Sequence, residues 1–294
     1  MMSKSLRRRR TRIAVASLAL LAATSGCAQA APGSIGPSTT QGPDPATYVP
    51  GDLVLRVELV HGFMREYFVH HLPTISVYGD GRVITEGAET HQSPAMPNVV
   101  VRRITAAGVD ALVNRAVSGG VGQDTDFGQP DIYDAPGTRF TVLTDRGVLV
   151  TDVYALGADD SRNLTDAQRA ARQELKDLID DLLDLPSTLG PDAGGEEPYV
   201  PSAMAVITRP WTNDGITSRT GRPERVWPGP ALPGEPMGRL QGVHCLTVAG
   251  ADVAAVADAA ATADAYAAWT SGGQRWLVAV RPLLPDETSC TDLI

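Results

Sequence analysis

Asp124-Thr125-Asp126-Phe127-Gly128, with Asp131 and Asp134 beyond, sets alternating carboxylates ahead of a glycine turn. Ca²⁺ needs several oxygens converging on one tight bend, and such a run can supply them. The twelfth position from Asp124 is Ala135, where a calcium loop requires a bidentate Glu, and Pro130 interrupts the stretch. Asp and Gly also simply make turns. Asp124, Asp126 and Asp131 therefore stand only as a calcium candidate, and no metal is assigned. The same carboxylates are the source from which a glycoside-cleaving enzyme could draw its acid and its nucleophile. The histidines are His61, His70, His71, His91 and His244. His70, His71 and His91 could share a zinc ion. However, neighbours on an extended segment face apart, and no Cys or carboxylate stands nearby at ligand spacing. No serine occupies a Gly-x-Ser-x-Gly elbow, and neither a His-Glu-x-x-His motif nor a Gly-rich phosphate loop before a helix occurs. No catalytic residue and no cofactor is assigned.

Arg209 to Arg239 is a long Pro-rich stretch, locally basic in an acidic chain, and it contains Trp211 and Trp227. Long loops in compact domains are usually functional or disordered, and Arg and aromatic side chains anchor interfaces. Trp211, Arg219, Arg222, Arg225 and Trp227 thus form the candidate binding surface. A Pro-stiffened loop whose tryptophans pack back onto a sheet is the plainer reading of the same residues.

The cysteines divide by position. Lys4, Arg7 to Arg10 and Arg12 precede a short apolar run, Ile13 to Ala23, and Thr24-Ser25-Gly26-Cys27 follow at once. That is the order of an export signal, and the run is too short to span a bilayer as a helix. Ser-Gly-Cys resembles the lipobox of bacterial lipoproteins. The resemblance implies that the Cys27 thiol receives a diacylglyceryl group and becomes the first mature residue. Residues 1–26 then form the signal, and the protein is anchored on the extracytoplasmic face of the cell membrane. The alternative is ordinary secretion with cleavage after Ala30, since Ala28-Gln29-Ala30 has the small-x-small form. Residues 27–50 hold many Pro, Gly, Ser and Thr and almost no large apolar side chain, as a flexible tether does. Cys245 and Cys290 remain, an even pair in an exported chain, for which a disulfide is expected. A catalytic thiol is disfavoured because His244, next to Cys245, would face the opposite side of a strand.

The 294 residues carry 25 basic and 34 acidic side chains. Loss of the six basic residues before Cys27 leaves 19 basic against 34 acidic, a net charge of −15. Such a chain is not built for nucleic acid or for electrostatic adhesion to an anionic membrane. No run after the signal is apolar and long enough to span a membrane.

Strands and helices must position whatever chemistry there is. Leu53–Val60 alternates as a strand, with Leu53, Leu55, Val57 and Leu59 on one face. ISVY and RVIT flank Gly79-Asp80-Gly81 as a hairpin. Thr105 opens a helix with Val109, Leu112, Val113, Ala116 and Val117 at 3.6-residue spacing, closed by Gly119-Gly120. RFTVLT and VLVTDVY then form a second hairpin around Asp145-Arg146-Gly147. Thr165 to Gln168 matches a capping box, ahead of a stripe of Ala171, Leu175, Leu178, Ile179 and Leu182 that Pro186 closes. Ser187 to Pro198 reads as a hinge and Tyr199 to Thr208 as a strand. A β-α-β unit follows: a strand over 242–248, a helix over 251–268 and a strand over 274–284, with Pro282 pointing to an edge. The expected fold is α+β, with antiparallel sheets formed from β-hairpins, helices packed on one face and a C-terminal β-α-β unit. The expected segments are 51–186 and 199–294, either separate or packed as one unit.

PTISVYGDGRVITEG, PNVVVRRIT, YDAPGTRF and RPLLPDE-x-x-C are similar to segments of a group of secreted lipoproteins of actinobacteria with no established activity. The likeness covers most of the chain after the tether, and the Arg-, Ala- and Gly-rich composition resembles that of high-GC actinobacteria. The resemblance implies export and brings no catalytic residues. The functional expectation is a non-catalytic binding module at the cell envelope, contacting envelope polymer or another exported protein. An envelope hydrolase acting through carboxylates is the alternative.

Overall fold

Local signals set the first half of the chain. The computed structural model describes residues 48–60, 69–89, 93–158, 163–212, 223–238 and 240–293. β1 (Leu53–Val60) is followed by the hairpin β2 (Ile75–Tyr78) and β3 (Arg82–Glu86). Gly81 has φ +81, and a Cβ there would sit 2.2 Å from the Ile104 carbonyl oxygen, so this turn admits only glycine. β4 (Val99–Ile104) leads into α1 (Ala106–Ser118), whose N-cap Thr105 accepts a hydrogen bond from the Gly108 amide. β5 (Gly137–Thr144) and β6 (Gly147–Tyr154) form the second hairpin. α2 (Asp166–Leu183) starts at Thr165 with both bonds of the capping box present.

These strands join one antiparallel sheet in the order β6-β5-β1-β2-β3-β4-β7. The final strand, β7 (Ala193–Pro198), lies in the stretch read as a hinge and pairs with β4, with Arg102 bonded to Glu196. Pro186 does not end helical structure either, because it opens a short helix, α3 (Leu185–Leu189), capped by Asp184. α1 and α2 pack on one face. Leu112 and Ala116 from α1 meet Leu175, Leu178 and Leu182 from α2 over Leu55, Val57, Val77 and Phe140. Each such leucine contributes roughly 2 kcal/mol by leaving water. The α2 stripe includes Arg172 in place of Ala171. Arg172 is fully enclosed, and its guanidinium donates to the carbonyls of Phe127, Tyr154 and Ala155, as a buried charge requires.

Leu53 departs from the expected face. A bulge between Leu53 and Leu55 shifts the register against β2, and Leu53 packs with Tyr78, Ile84, Val99 and Leu284 on the side away from the helices. Leu59 also differs, being 40% exposed.

The second sheet runs β10-β11-β8-β13-β12-β9. Its members are β8 (Ala203–Pro210), β9 (Arg225–Val226), β10 (Glu235–Pro236), β11 (His244–Ala249), β12 (Trp269–Ser271) and β13 (Gln274–Pro282). Only the β12–β9 pair is parallel. β11 and β13 both run antiparallel to β8, which lies between them, so the β-α-β unit is split by a strand. Its helix α4 (Asp252–Ala261) is shorter than the alanine run, because residues 263–265 leave to pair with 93–95 through Ala95 N to Ala263 O and Ala265 N to Ser93 O. β13 is internal and not an edge. The Val280 amide donates to Ala95 on the side that β12 does not reach, and by the two-residue period Pro282 is the next position there. The bonds to β8 at this level come from the next residue, with the Leu283 amide donating to Ala203 O.

Cys245 and Cys290 are bonded, with Cα atoms 6.0 Å apart. The bridge ties β11 to the segment after β13, and closing a loop of 45 residues contributes about 4 kcal/mol. Both sheets lie in one compact unit, Asp44–Ile294. No helix among the described residues is long and apolar enough to cross a membrane.

Candidate functional site

The carboxylates of the calcium candidate do not converge. Asp126 accepts hydrogen bonds from the Gly128 amide at 2.8 Å and from Gln168 Nε2 at 2.8 Å, fastening a turn to the start of α2. These bonds hold its carboxyl below the usual range. Asp134 has φ +58 in a turn. Among the described residues, no three His, Cys, Asp or Glu side chains gather as a metal site.

The Arg–Trp stretch folds inward where it is described. Trp227 is 6% exposed, donates from Nε1 to Pro230 O at 2.7 Å, and meets Trp269 edge to face at 5.6 Å. Arg225 donates to Ala259 O, Thr262 Oγ1 and Thr262 O, closing the C-terminal end of α4, and lies 5.8 Å from the Trp269 ring. Trp211 is stacked under Arg275 at 4.6 Å. Trp227 is therefore a core residue and not part of an exposed surface, while Arg225 is half-buried against the end of α4. Arg219 and Arg222 lie outside the described residues, as do Cys27, His61 and His91.

Two clefts lie elsewhere, lined by residues of both sheets. One cleft, of about 540 Å³, has a floor of Ile207, Leu277 and Ala279 from the second sheet. Its rim carries His70, His71, Glu86, Asn98, Arg209 and Tyr266. A second cleft, of about 710 Å³, is lined by Arg56, Glu58, Arg139, Arg281, Glu287 and Asp292 among others. His71 and Glu86 line both. They stand at the junction, with His71 Nδ1 3.8 Å from Glu86 Oε1 and each about two-fifths exposed.

Electrostatics differ sharply between neighbours here. Burial, aided by His71 and Arg209, pushes His70 down to about 4, so its imidazole is neutral at pH 7. Burial acts upward on Glu86, but the His71 imidazole and the Leu72 amide, 3.0 Å from Oε1, outweigh it and hold the carboxyl low. Burial also pushes Glu58 up, against the pull of Arg56 and Arg139. Glu287 is locked to Arg281 by two bonds of 2.6 and 2.8 Å, and it accepts the Leu284 amide. Asp292 accepts the amides of Thr288 and Ser289.

Between them the two clefts, which share His71 and Glu86, present hydrogen-bond donors, acceptors and an apolar floor. Pattern reading missed them because their members are widely spaced. The available signals were single charges in otherwise apolar strands: Arg56 and Glu58 in LVLRVELV, and Arg281 after WLVAV. No protein-family model, curated protein or solved structure matches the chain.

Proposed function

We propose that the protein is a lipid-anchored extracytoplasmic binding module that holds a segment of envelope polymer in the double cleft. The N-terminal signal, Cys27 and the Pro-rich tether support the location. The observation that carries the binding reading is the meeting of two clefts at His71 and Glu86. Each has the volume of a small-molecule pocket, and two in succession suit a chain of linked units better than one compact ligand. The resemblance to secreted actinobacterial lipoproteins agrees with this placement.

Two measurements test it. Expressed in a lipoprotein-competent host, wild type partitions into detergent and Cys27→Ala into the aqueous phase. In-cell crosslinking then captures an envelope polymer, and His71→Ala with Glu86→Ala abolishes the capture in a folded chain. Capture that survives the double substitution removes the cleft from consideration, whereas capture of an exported protein replaces the polymer.

Glu58 favours a second reading, an envelope hydrolase. A carboxyl raised by burial beside two arginines is placed to act as an acid. Turnover of an envelope glycan by the purified protein, lost in Glu58→Gln, would establish that reading over simple binding.

A further inference from the structure

The larger cleft, of about 710 Å³, is lined by three arginines, and each is engaged by an acid of its own. Arg56 binds Asp286, Arg139 binds Asp152 through two nitrogens, and Arg281 binds Glu287 through two. The remaining acids of the lining are Glu58, Glu86 and Asp292. Glu86 accepts the Leu72 amide beside His71, and Asp292 accepts the amides of Thr288 and Ser289. Glu58 differs from both. Only burial and the charges around it act on its carboxyl, and nothing among the described residues donates a hydrogen bond to it. Arg139 stands directly opposite on β5, yet its donating nitrogens are turned to Asp152.

A half-buried carboxylate without a donor is costly, and burial accordingly pushes Glu58 up against the pull of Arg56 and Arg139. A bound cation would supply the missing hydrogen bonds and favour the charged form. An anion has less to gain, because with each arginine matched to an acid, Glu58, Glu86 and Asp292 leave the cleft negative. The same cleft has an apolar part. Leu59, Val60 and Leu183 line it, and Leu59 and Leu183 are 40% and 53% exposed. Covering that surface is favourable. An acid without a donor and an exposed apolar wall in one cleft suit a cation carried on an alkyl chain.

We propose that this cleft receives a primary alkylammonium group, with the nitrogen on the Glu58 carboxylate and the chain along Leu59 and Leu183. The proposal rests on the polymer-binding reading only for the source of the amine, a side group of the bound polymer. A primary ammonium carries three N–H donors, and the Glu58 oxygens have acceptor capacity for them. A quaternary ammonium has no N–H to give, so the site distinguishes the two.

n-Pentylammonium, pentyltrimethylammonium and n-pentanol are titrated into the purified full chain by calorimetry. The primary ammonium should bind about tenfold more tightly than either analogue, and Glu58→Gln should remove that preference. In wild type, affinity should rise about twofold per methylene from ethylammonium to n-pentylammonium, and Leu59→Ser with Leu183→Ser should flatten the series. That series carries the test if Glu58→Gln does not fold. Envelope polymer is then applied to the immobilised chain before and after acetylation of its amines, and only the untreated polymer should be retained. Equal binding of n-pentanol, a preference that survives Glu58→Gln, or a series as steep in the double variant would each overturn the proposal. Retention of acetylated polymer overturns it too, while the polymer-binding reading stands. Retention of neither polymer, with n-pentylammonium still bound through Glu58, defeats that reading and leaves the cleft as a site for a free alkylamine.

Discussion

The Tyr78 hydroxyl donates a 2.6 Å hydrogen bond to Asp286 Oδ1, across 208 residues of sequence. Arg56 Nη2 reaches the same oxygen at 2.9 Å. One carboxylate oxygen thus joins β1 and β2 of the first sheet to the turn that follows β13 of the second. Burial drives the Tyr78 hydroxyl far above its ordinary range, with the two neighbouring acids adding to it and Arg56 opposing. Asp286→Ala takes the acceptor from the Tyr78 hydroxyl and the ion pair from Arg56, which keeps Ser76 Oγ at 3.0 Å, and should cost about 3 kcal/mol in denaturant unfolding. Tyr78→Phe removes the 3.2 Å bond from Arg56 Nη2 to the hydroxyl but leaves the Arg56–Asp286 bond in place, and should cost about 1 kcal/mol. Equal losses from the two substitutions would show that the carboxylate is not the joint.

Glu287 sits one residue on, and its pair with Arg281 is almost closed to solvent, at 4% and 7% side-chain exposure. Removing one partner leaves an uncompensated buried charge. Glu287→Ala should cost about 3 to 5 kcal/mol, and Arg281→Met with Glu287→Leu should recover most of that loss. Unfolding midpoints of the three proteins check this, and a double variant no better than the single one would refute it.

His70 should make the protein acid-sensitive. Its folded value is about 4, against an ordinary value near 6.5. Between these the unfolded chain binds the proton and the native one does not, so stability falls as pH falls through that window. The loss should be on the order of 2 to 3 kcal/mol by pH 4. His70→Asn removes the titration and should flatten the profile over the same interval. A variant as steep as wild type would place the loss in other groups.

Trp227 fills the core beside Trp269, Leu232 and Val256. Trp227→Ala should cost about 3 to 5 kcal/mol and lower thermal stability in the absence of any ligand. A stable Trp227→Ala protein that had lost only partner capture would return this residue to the surface.

Trp227 also marks where the sequence is legible and where it is not. Thr165 and Gln168 cap α2, Gly81 turns the first hairpin, and β1 spans Leu53–Val60 because each signal lies within a few residues of what it controls. β7 has no such signal. Its Gly and Glu residues become a strand only because β4 offers them a partner. Arg172 looks solvent-facing until the carbonyls of Tyr154 and Ala155 are placed beside it. Pro282 resembles an edge marker, but an internal strand tolerates it because the bond to β8 at that level is made by the Leu283 amide. The double cleft shares this character. His71, Glu86, Arg209 and Arg281 meet only once both sheets exist, so local spacing carries no trace of their meeting. Arg and Trp in a loop read alike whether they face a ligand or, as Arg225 and Trp227 do, a helix end and a core.

β13 is made after every strand it joins, yet it occupies the middle of its sheet. Until residue 282 has left the ribosome, β8 has β11 on one side and nothing on the other. Until residues 286 and 287 follow, the two sheets lack their joint. Synthesis therefore delays completion of the second sheet to its last strand, whereas the seven-stranded sheet has all its members once residue 198 is made.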